Sequence, residues 1–174
     1  DAKPAADGKA PAAKQELQPN QQAFLNLPEE SRKDFLKHLT EANRLFGQQR
    51  VFETIEELDK AAAIFKDSPE LYNLRGSCFV EMRAFDKALA EFGEAIKLSK
   101  DNPSIEFNIA EIYFVTKEWK KSLDLFEKVM KVLPADQIAM GRLVEFKILL
   151  CKKKLGMNED VKKMTEKYDF MDDS

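Results

Sequence analysis

The side chains of this chain that could perform catalysis are few, and they lie far apart in the sequence. His38 is the one histidine and sits in FLKHLTEA, where no neighbouring residue completes a catalytic triad or a zinc site. Cys78 and Cys151 have no histidine nearby to activate a thiolate, and we interpret Cys78 as a small buried hydrophobe. The phosphate-cradling, dinucleotide-binding and metalloprotease motifs are absent from the sequence. We therefore predict no catalytic residue, no metal and no cofactor, and hence a protein that is not an enzyme.

The composition excludes other classes of function. The 174 residues carry 28 Lys and Arg against 31 Asp and Glu, a net charge of −3, so we expect no nucleic-acid partner. No apolar run reaches the length of about 18 residues that a membrane span needs, so we predict no direct membrane span. With 44% hydrophobic and 34% charged residues, the chain can bury a core.

The elements that must position any functional side chain come from an internal repeat. Pro69–Asn102 and Pro103–Asp136 align without a gap at an offset of 34 residues. The aligned pairs are Gly76 with Ala110, Ala88 with Ser122, Phe79 with Tyr113, Phe85 with Trp119, Phe92 with Phe126 and Ala95 with Val129. Two short amphipathic helices per unit would bury their apolar faces only against neighbouring units, and the small residues would let the two helices approach closely.

This pattern resembles the tetratricopeptide repeat (TPR), in which a W-x2-L-G-x2-Y segment is followed by A-x3-F and then Pro. The resemblance implies an all-α fold, a right-handed superhelix of stacked antiparallel helix hairpins. It also implies a concave groove, lined by the first helix of each repeat, that takes up an extended or helical segment of a partner.

We predict a TPR-like domain over residues 20–174, divided into four helix pairs. These are a degenerate repeat at 31–68, repeats at 69–102 and 103–136, and a capping helix pair at 137–170 that lacks the A-x3-F signature. Phe52 stands 33 residues before Phe85, which predicts that one residue is missing from the first repeat. Ser68 and Asn102 are predicted to cap the helices that begin at the two repeat prolines. The helix predicted at Gln137–Leu155 should bury its apolar positions, namely Ile138, Leu143, Phe146, Leu149 and Leu150.

Residues 1–19 form a segment rich in Ala, Pro and Lys with no apolar period, and we predict a flexible tether there. Because the sequence does not begin with Met, one interpretation is that an export signal preceded it, as in bacterial envelope proteins. We therefore predict a periplasmic or otherwise exported protein. The alternative is a cytoplasmic protein of which this sequence is a trimmed piece.

The resemblance assigns the groove to particular residues. Its groove-facing positions carry over to Asn73, Ser77, Val80 or Glu81, Phe107, Asn108, Glu111, Phe114, Gly141, Arg142 and Glu145. Amides can bond a partner's backbone, aromatic rings can hold its side chains, and a charge pair can fix its register. For Phe107 and Phe114 an alternative is open, because either ring could pack between hairpins instead of facing a ligand.

One TPR subfamily uses a carboxylate clamp of lysines, asparagines and an arginine to hold the acidic tails of heat-shock chaperones. Asn108 and Arg142 match that clamp, but Asn73, Ser77 and Ile138 occupy its other places, so both lysines and one asparagine are missing. We therefore expect no chaperone-tail binding. The predicted function is a non-catalytic protein–protein interaction module for a protein or peptide partner, and the alternative is a structural subunit that forms a homo-oligomer or a fixed part of an envelope assembly.

Overall fold

The computed structural model describes residues 17–99 and 102–169, and these residues form helices joined by turns, which confirms the predicted all-α fold. Residues 1–16 of the predicted tether lie outside the described residues. The helices are α1 (Pro19–Leu25), α2 (Glu29–Gly47), α3 (Val51–Ile64), α4 (Pro69–Glu81), α5 (Phe85–Leu98), α6 (Pro103–Val115), α7 (Trp119–Val132), α8 (Ile138–Lys154) and α9 (Asn158–Asp169). Helices α2 with α3, α4 with α5 and α6 with α7 pack as pairs, and each pair packs on the next.

Caps fix the starts of α4 and α6, as predicted. The Ser68 hydroxyl accepts a hydrogen bond from the backbone N–H of Leu71 at 3.4 Å, and the Asn102 side chain accepts one from Ser104 at 3.1 Å. A proline occupies the first turn of each helix, where its missing N–H leaves no bond unmade. Both helices therefore begin at positions 34 residues apart.

The turns inside the three helix pairs repeat one geometry. Gln49, Arg83 and Lys117 adopt left-handed backbone conformations, with φ of 60°, 56° and 65°, and each stands 34 residues from the next. The N–H of the following residue then donates to the carbonyl five residues earlier, in the bonds Arg50–Leu45 (3.0 Å), Ala84–Phe79 (2.8 Å) and Glu118–Tyr113 (2.8 Å). The repeat period therefore holds through the first helix pair as well.

The prediction that the first repeat lacks one residue is wrong. Helix α3 begins at Val51, 34 residues before Phe85, and the neighbouring Phe52 is 74% exposed. The buried positions Thr54 and Leu58 also stand 34 residues before Ala88 and Phe92. Phe52 resembles Phe85 in residue type, but burial follows position along the helix, where Val51 is the equivalent residue.

The core is shared between successive helix pairs. Phe92 and Phe126, one per repeat, are fully buried. A Cβ atom added at Gly76 would lie 2.6 Å from the Phe92 ring, so α4 can approach α5 this closely only because residue 76 has no side chain. In the next pair, the Ser122 hydroxyl donates to the Ala110 carbonyl at 2.9 Å, which ties α7 to α6 at the equivalent place.

Helix α8 buries a different face from the predicted one. Val144, Ile148 and Cys151 are buried against α7, whereas Ile138, Leu143 and Phe146 are 63%, 41% and 54% exposed, and Leu149 and Leu150 are intermediate. Val144 stands 34 residues after the buried Ala110, so α8 continues the register of the repeats and turns its bulkier apolar residues outward. Helix α8 ends at Lys154, and Gly156, with φ of 72°, makes the turn to α9.

Candidate functional site

The first helices of the pairs line a cavity of about 310 Å³. Helix α4 contacts both α2 and α6, and the space between these helices is open to solvent. The residues lining it are Phe46 from α2, Ser77, Val80 and Glu81 from α4, Phe92 from α5, and Asn108 and Glu111 from α6. We call this space the groove cavity. Ser77, Val80, Glu81, Asn108 and Glu111 are groove residues named by the sequence analysis.

One hydrogen bond between α6 and α4 and one within α4 hold the polar wall of the groove cavity in place. The Asn108 Nδ2 group donates to Asn73 Oδ1 at 3.0 Å, and the Ser77 hydroxyl donates to the Asn73 carbonyl at 3.0 Å. The amide oxygen of Asn108 and the amide nitrogen of Asn73 are not used in the bond between them. The two amides therefore orient each other while keeping one acceptor and one donor that a peptide backbone can use.

A fixed lysine stands beside the acid of the cavity. The Nζ atom of Lys147 on α8 lies 2.9 Å from both carboxylate oxygens of Glu111 and 4.4 Å from the centroid of the Phe114 ring. Hydrogen-bonding geometry is satisfied at Glu111 Oε2, while Oε1 is buried without a hydrogen bond. No motif in the sequence marks α8 as a source of charge next to Glu111, so the role of Lys147 could not be predicted.

The two predicted groove aromatics make ring contacts within the protein. Phe107 meets the buried Phe126 edge-on, with ring centroids 5.6 Å apart, and Phe114 meets Trp119 edge-on at 5.3 Å. Both rings pack against the core cluster built around α6, α7 and α8. The structure therefore places them as packing residues and leaves Phe46 as the aromatic ring that lines the groove cavity with Phe92.

Two other predicted residues, Arg142 and Glu145, line a second cavity. Arg142 and Glu145 line a cavity of about 220 Å³ between α8 and α9, together with Phe146, Leu149 and Met164. Arg142 does not line the groove cavity with Asn108. Gly141 leaves open space beside Leu133, since a Cβ added there would come no closer than 3.8 Å. The predicted residues are thus divided between two cavities, and four of them line neither cavity, namely Asn73, Phe107, Phe114 and Gly141.

His38 and the two cysteines lie outside the two cavities. His38 Nδ1 lies 2.7 Å from Glu57 Oε2, and hydrogen bonds from Lys60 and then His38 hold the pKa of Glu57 below its usual value. Burial raises the pKa of the Cys78 thiol to about 11, and burial also raises the pKa of the Cys151 thiol. A thiol held in its protonated form is a poor nucleophile.

Two other kinds of site are missing from residues 17–99 and 102–169, the part of the chain that the structure describes. No group of three or more His, Cys, Asp or Glu side chains there could hold a metal ion. No helix in the same ranges combines the length and the apolar character that crossing a bilayer requires.

Comparison with curated proteins finds partial matches, and no protein-family model matches the chain. Over 106 residues it is 26% identical to the DnaJ homolog subfamily C member 3 homolog of Dictyostelium discoideum, a match that covers 59% of this chain and 21% of that protein. Over 77 residues it is 31% identical to the TPR repeat-containing protein MJ1428 of Methanocaldococcus jannaschii, a match that covers 44% of this chain and 13% of that one. The chain therefore spans a small part of the curated relatives it matches.

Solved structures share the arrangement of helices. MamA superposes with a TM-score of 0.65 at 18% identity, over 84% of this chain and 77% of the other. The Yersinia enterocolitica type III secretion chaperone SycD, in complex with a peptide of the translocator YopD, gives 0.66 at 12% identity, over 73% and 98%. YrrB, a TPR protein with an unusual peptide-binding site, gives 0.64 at 17% identity, over 82% and 71%. The chain has the fold of TPR proteins, a solenoid of helix hairpins.

Proposed function

We propose that this chain is a non-catalytic protein-interaction module that binds an extended or helical peptide segment of a partner in its groove cavity. The observation that carries the proposal is the cavity itself, an open space between α2, α4 and α6 with apolar walls and a polar rim. Asn73 and Asn108 hold each other in position, so their remaining donor and acceptor are pre-oriented for a peptide backbone.

The structural neighbours support this proposal. SycD was solved with a peptide of its translocator bound, and YrrB is a TPR protein that has a peptide-binding site. A groove only three hairpins long offers few contacts, so we expect micromolar affinity, about −8 kcal/mol.

The first experiment fills the cavity. Ser77→Trp places an indole in the space beside Val80 and Asn108, and Glu56→Trp places the same side chain on the exposed surface of α3 as a matched control. A photo-crosslinking amino acid at position 80 should capture a partner in cell extract from the unplugged protein and from the Glu56→Trp protein. Capture should be lost with Ser77→Trp, while circular dichroism and thermal melting show that both variants are folded. Equal capture by the plugged protein would contradict the proposal.

Two single substitutions then separate the two cavities. Asn108→Ala removes an amide that lines the groove cavity, whereas Arg142→Ala removes a charge from the cavity between α8 and α9. Binding in the groove cavity predicts that Asn108→Ala weakens partner binding and that Arg142→Ala does not. If Arg142→Ala alone abolishes binding, the partner occupies the α8–α9 cavity.

Self-association is a second candidate function, and the exposed apolar face of α8 favours it. Ile138, Leu143 and Phe146 present apolar side chains to solvent on a helix whose opposite face is buried. Exposed apolar surface of this kind is typical of interaction sites. Light scattering coupled to size exclusion should then show a dimer that Phe146→Ser converts to a monomer. A wild-type protein that is monomeric at high concentration would rule this candidate out.

A further inference from the structure

We infer that the groove cavity recognises a basic side chain, lysine or arginine, of the partner peptide. This inference rests on the proposed function and adds the chemistry of the residue that the cavity selects. Among the described residues that line the cavity, two are acidic, Glu81 and Glu111, and none is basic. The walls beside these acids are apolar, formed by Phe46, Val80 and Phe92.

This combination fits the two parts of a long basic side chain. Lysine and arginine carry an aliphatic stem that packs on apolar surface and a charged head that stays near polar groups. In the cavity, the stem would contact Phe46 and Val80, while the head would reach Glu81 and Glu111 at the polar side. A plain apolar side chain would leave the two carboxylates unused, and an acidic one would be repelled by them.

The hydrogen bonding around Glu111 is incomplete, although Lys147 Nζ lies 2.9 Å from both carboxylate oxygens. Lys147 donates to Oε2 of Glu111, and Oε1 is buried without a hydrogen bond. Glu81 is exposed and makes no ion pair with any residue in the described part of the chain. The two lining carboxylates are thus offset by one ion-paired lysine, which leaves an excess of one negative charge among these three groups.

The same geometry argues against an acidic ligand. Lys147 is the ion-pair partner of Glu111, and it is held between Glu111 and the Phe114 ring with 18% of its side chain exposed. A carboxylate from a partner would have to displace Glu111 to reach it. The lysines missing from the clamp pattern and the pairing of Lys147 with Glu111 therefore both disfavour an acidic ligand.

The test uses short acetylated and amidated peptide pools, random except for one central residue fixed as Lys, Arg, norleucine or Glu. Binding is measured by fluorescence anisotropy near physiological ionic strength. We expect the Lys and Arg pools to bind tighter than the norleucine pool, which keeps the stem without the charge, and the Glu pool to bind weakest. Glu81→Gln should weaken binding of the Lys pool by about two- to fivefold, the range of an exposed ion pair, and leave the norleucine pool unchanged. Glu56→Gln, an exposed glutamate on α3, is the matched control and should change neither.

A second variant has the opposite expected sign. Lys147→Met removes the cation that competes for Glu111 and keeps an apolar contact with Phe114, so affinity for the Lys pool should rise by about two- to fivefold. A gain of this kind cannot come from a loss of folding. If all pools bind equally and Ser77→Trp still abolishes their binding, the inference is wrong and the proposed function stands. If no pool binds, or if Ser77→Trp leaves binding unchanged, both are wrong.

Discussion

The close approach of α4 and α5 at Gly76 gives a prediction whose size can be worked out from the structure. A Cβ atom at this position would lie 2.6 Å from Phe92 Cε1, whereas ordinary van der Waals contact begins at 3.4 Å. The ring would have to move by the difference, and Phe92 is fully buried, so the closely packed atoms around it would resist the movement. Overpacking of a well-packed core costs about 1–3 kcal/mol, so Gly76→Ala should destabilise the protein by that amount before any gain in helix propensity.

The gain in helix propensity can be measured separately with Gly93→Ala. Gly93 also lies inside a helix, α5, but a Cβ added there meets nothing within 4 Å. This control should stabilise the protein by about 0.5–1 kcal/mol, because alanine loses less backbone entropy than glycine on folding. The difference between the two variants, about 1–3 kcal/mol, therefore isolates the steric cost. It corresponds to melting temperatures about 2–12 °C apart for a domain of this size.

Thermal melting followed by circular dichroism at 222 nm measures both variants, and urea titration gives their free energies of unfolding. The cost of Gly76→Ala should shrink by at least about 0.5 kcal/mol in a Phe92→Leu background, since the clashing ring atoms are then gone. If Gly76→Ala melts as high as Gly93→Ala, the packing argument is wrong. An unchanged cost in the Phe92→Leu background would show that another neighbour causes the clash.

Three further outcomes follow from buried groups and from the turns. Burial raises the pKa of Glu91 despite the nearby Arg75, so ionised Glu91 destabilises the fold. The stability of the wild-type protein should therefore fall as the pH rises from the pKa of Glu91 in the unfolded chain to its higher pKa in the folded protein. Glu91→Gln should remove that fall and melt higher than wild type at pH 7, and a lower melting temperature would contradict this. Cys78 and Cys151 should resist alkylation at pH 8 in the native protein and react in urea. Cys151 should react first, because α8 lies nearer the end of the solenoid. Fast labelling of the native protein would contradict the burial of both thiols. Lys117→Gly should stabilise the protein by up to about 1 kcal/mol, because the backbone at residue 117 has a φ of 65°, which glycine adopts without strain. Urea titration measures this change in the free energy of unfolding. A loss of stability would show that the Lys117 side chain contributes more than the backbone strain costs.

Most of the fold could be predicted from the repeat length and from local sequence signals. The 34-residue offset, the caps at Ser68 and Asn102 and the burial of Phe92 and Phe126 could all be predicted, because each depends on local sequence or on the repeated pattern. The predictions are wrong where the size of an apolar side chain does not correspond to its burial. Phe52 and Phe146 are large and apolar but stand on outward faces, and the register inherited from the preceding repeat decides the direction of a side chain.

The candidate site was predictable only in part. Ser77, Asn108 and Glu111 come together because the repeat places equivalent positions side by side on adjacent first helices. The partnership of Glu111 with Lys147 could not be predicted from the repeat, since the residue 34 positions before Lys147 is the uncharged Tyr113. Arg142 stands 34 residues after Asn108, in register with it, yet the two side chains line different cavities.

The matching turns at Gln49, Arg83 and Lys117 also allow whole repeats to be added to this molecule. A segment that runs from one such turn to the next begins and ends with the same backbone geometry, so it can be duplicated in tandem without changing the direction of the chain. Copying residues 84–117 between Lys117 and Glu118 should therefore add one second helix and one first helix in phase. The enlarged protein would carry an additional binding compartment, and each further copy would extend the reach of the array by the same step.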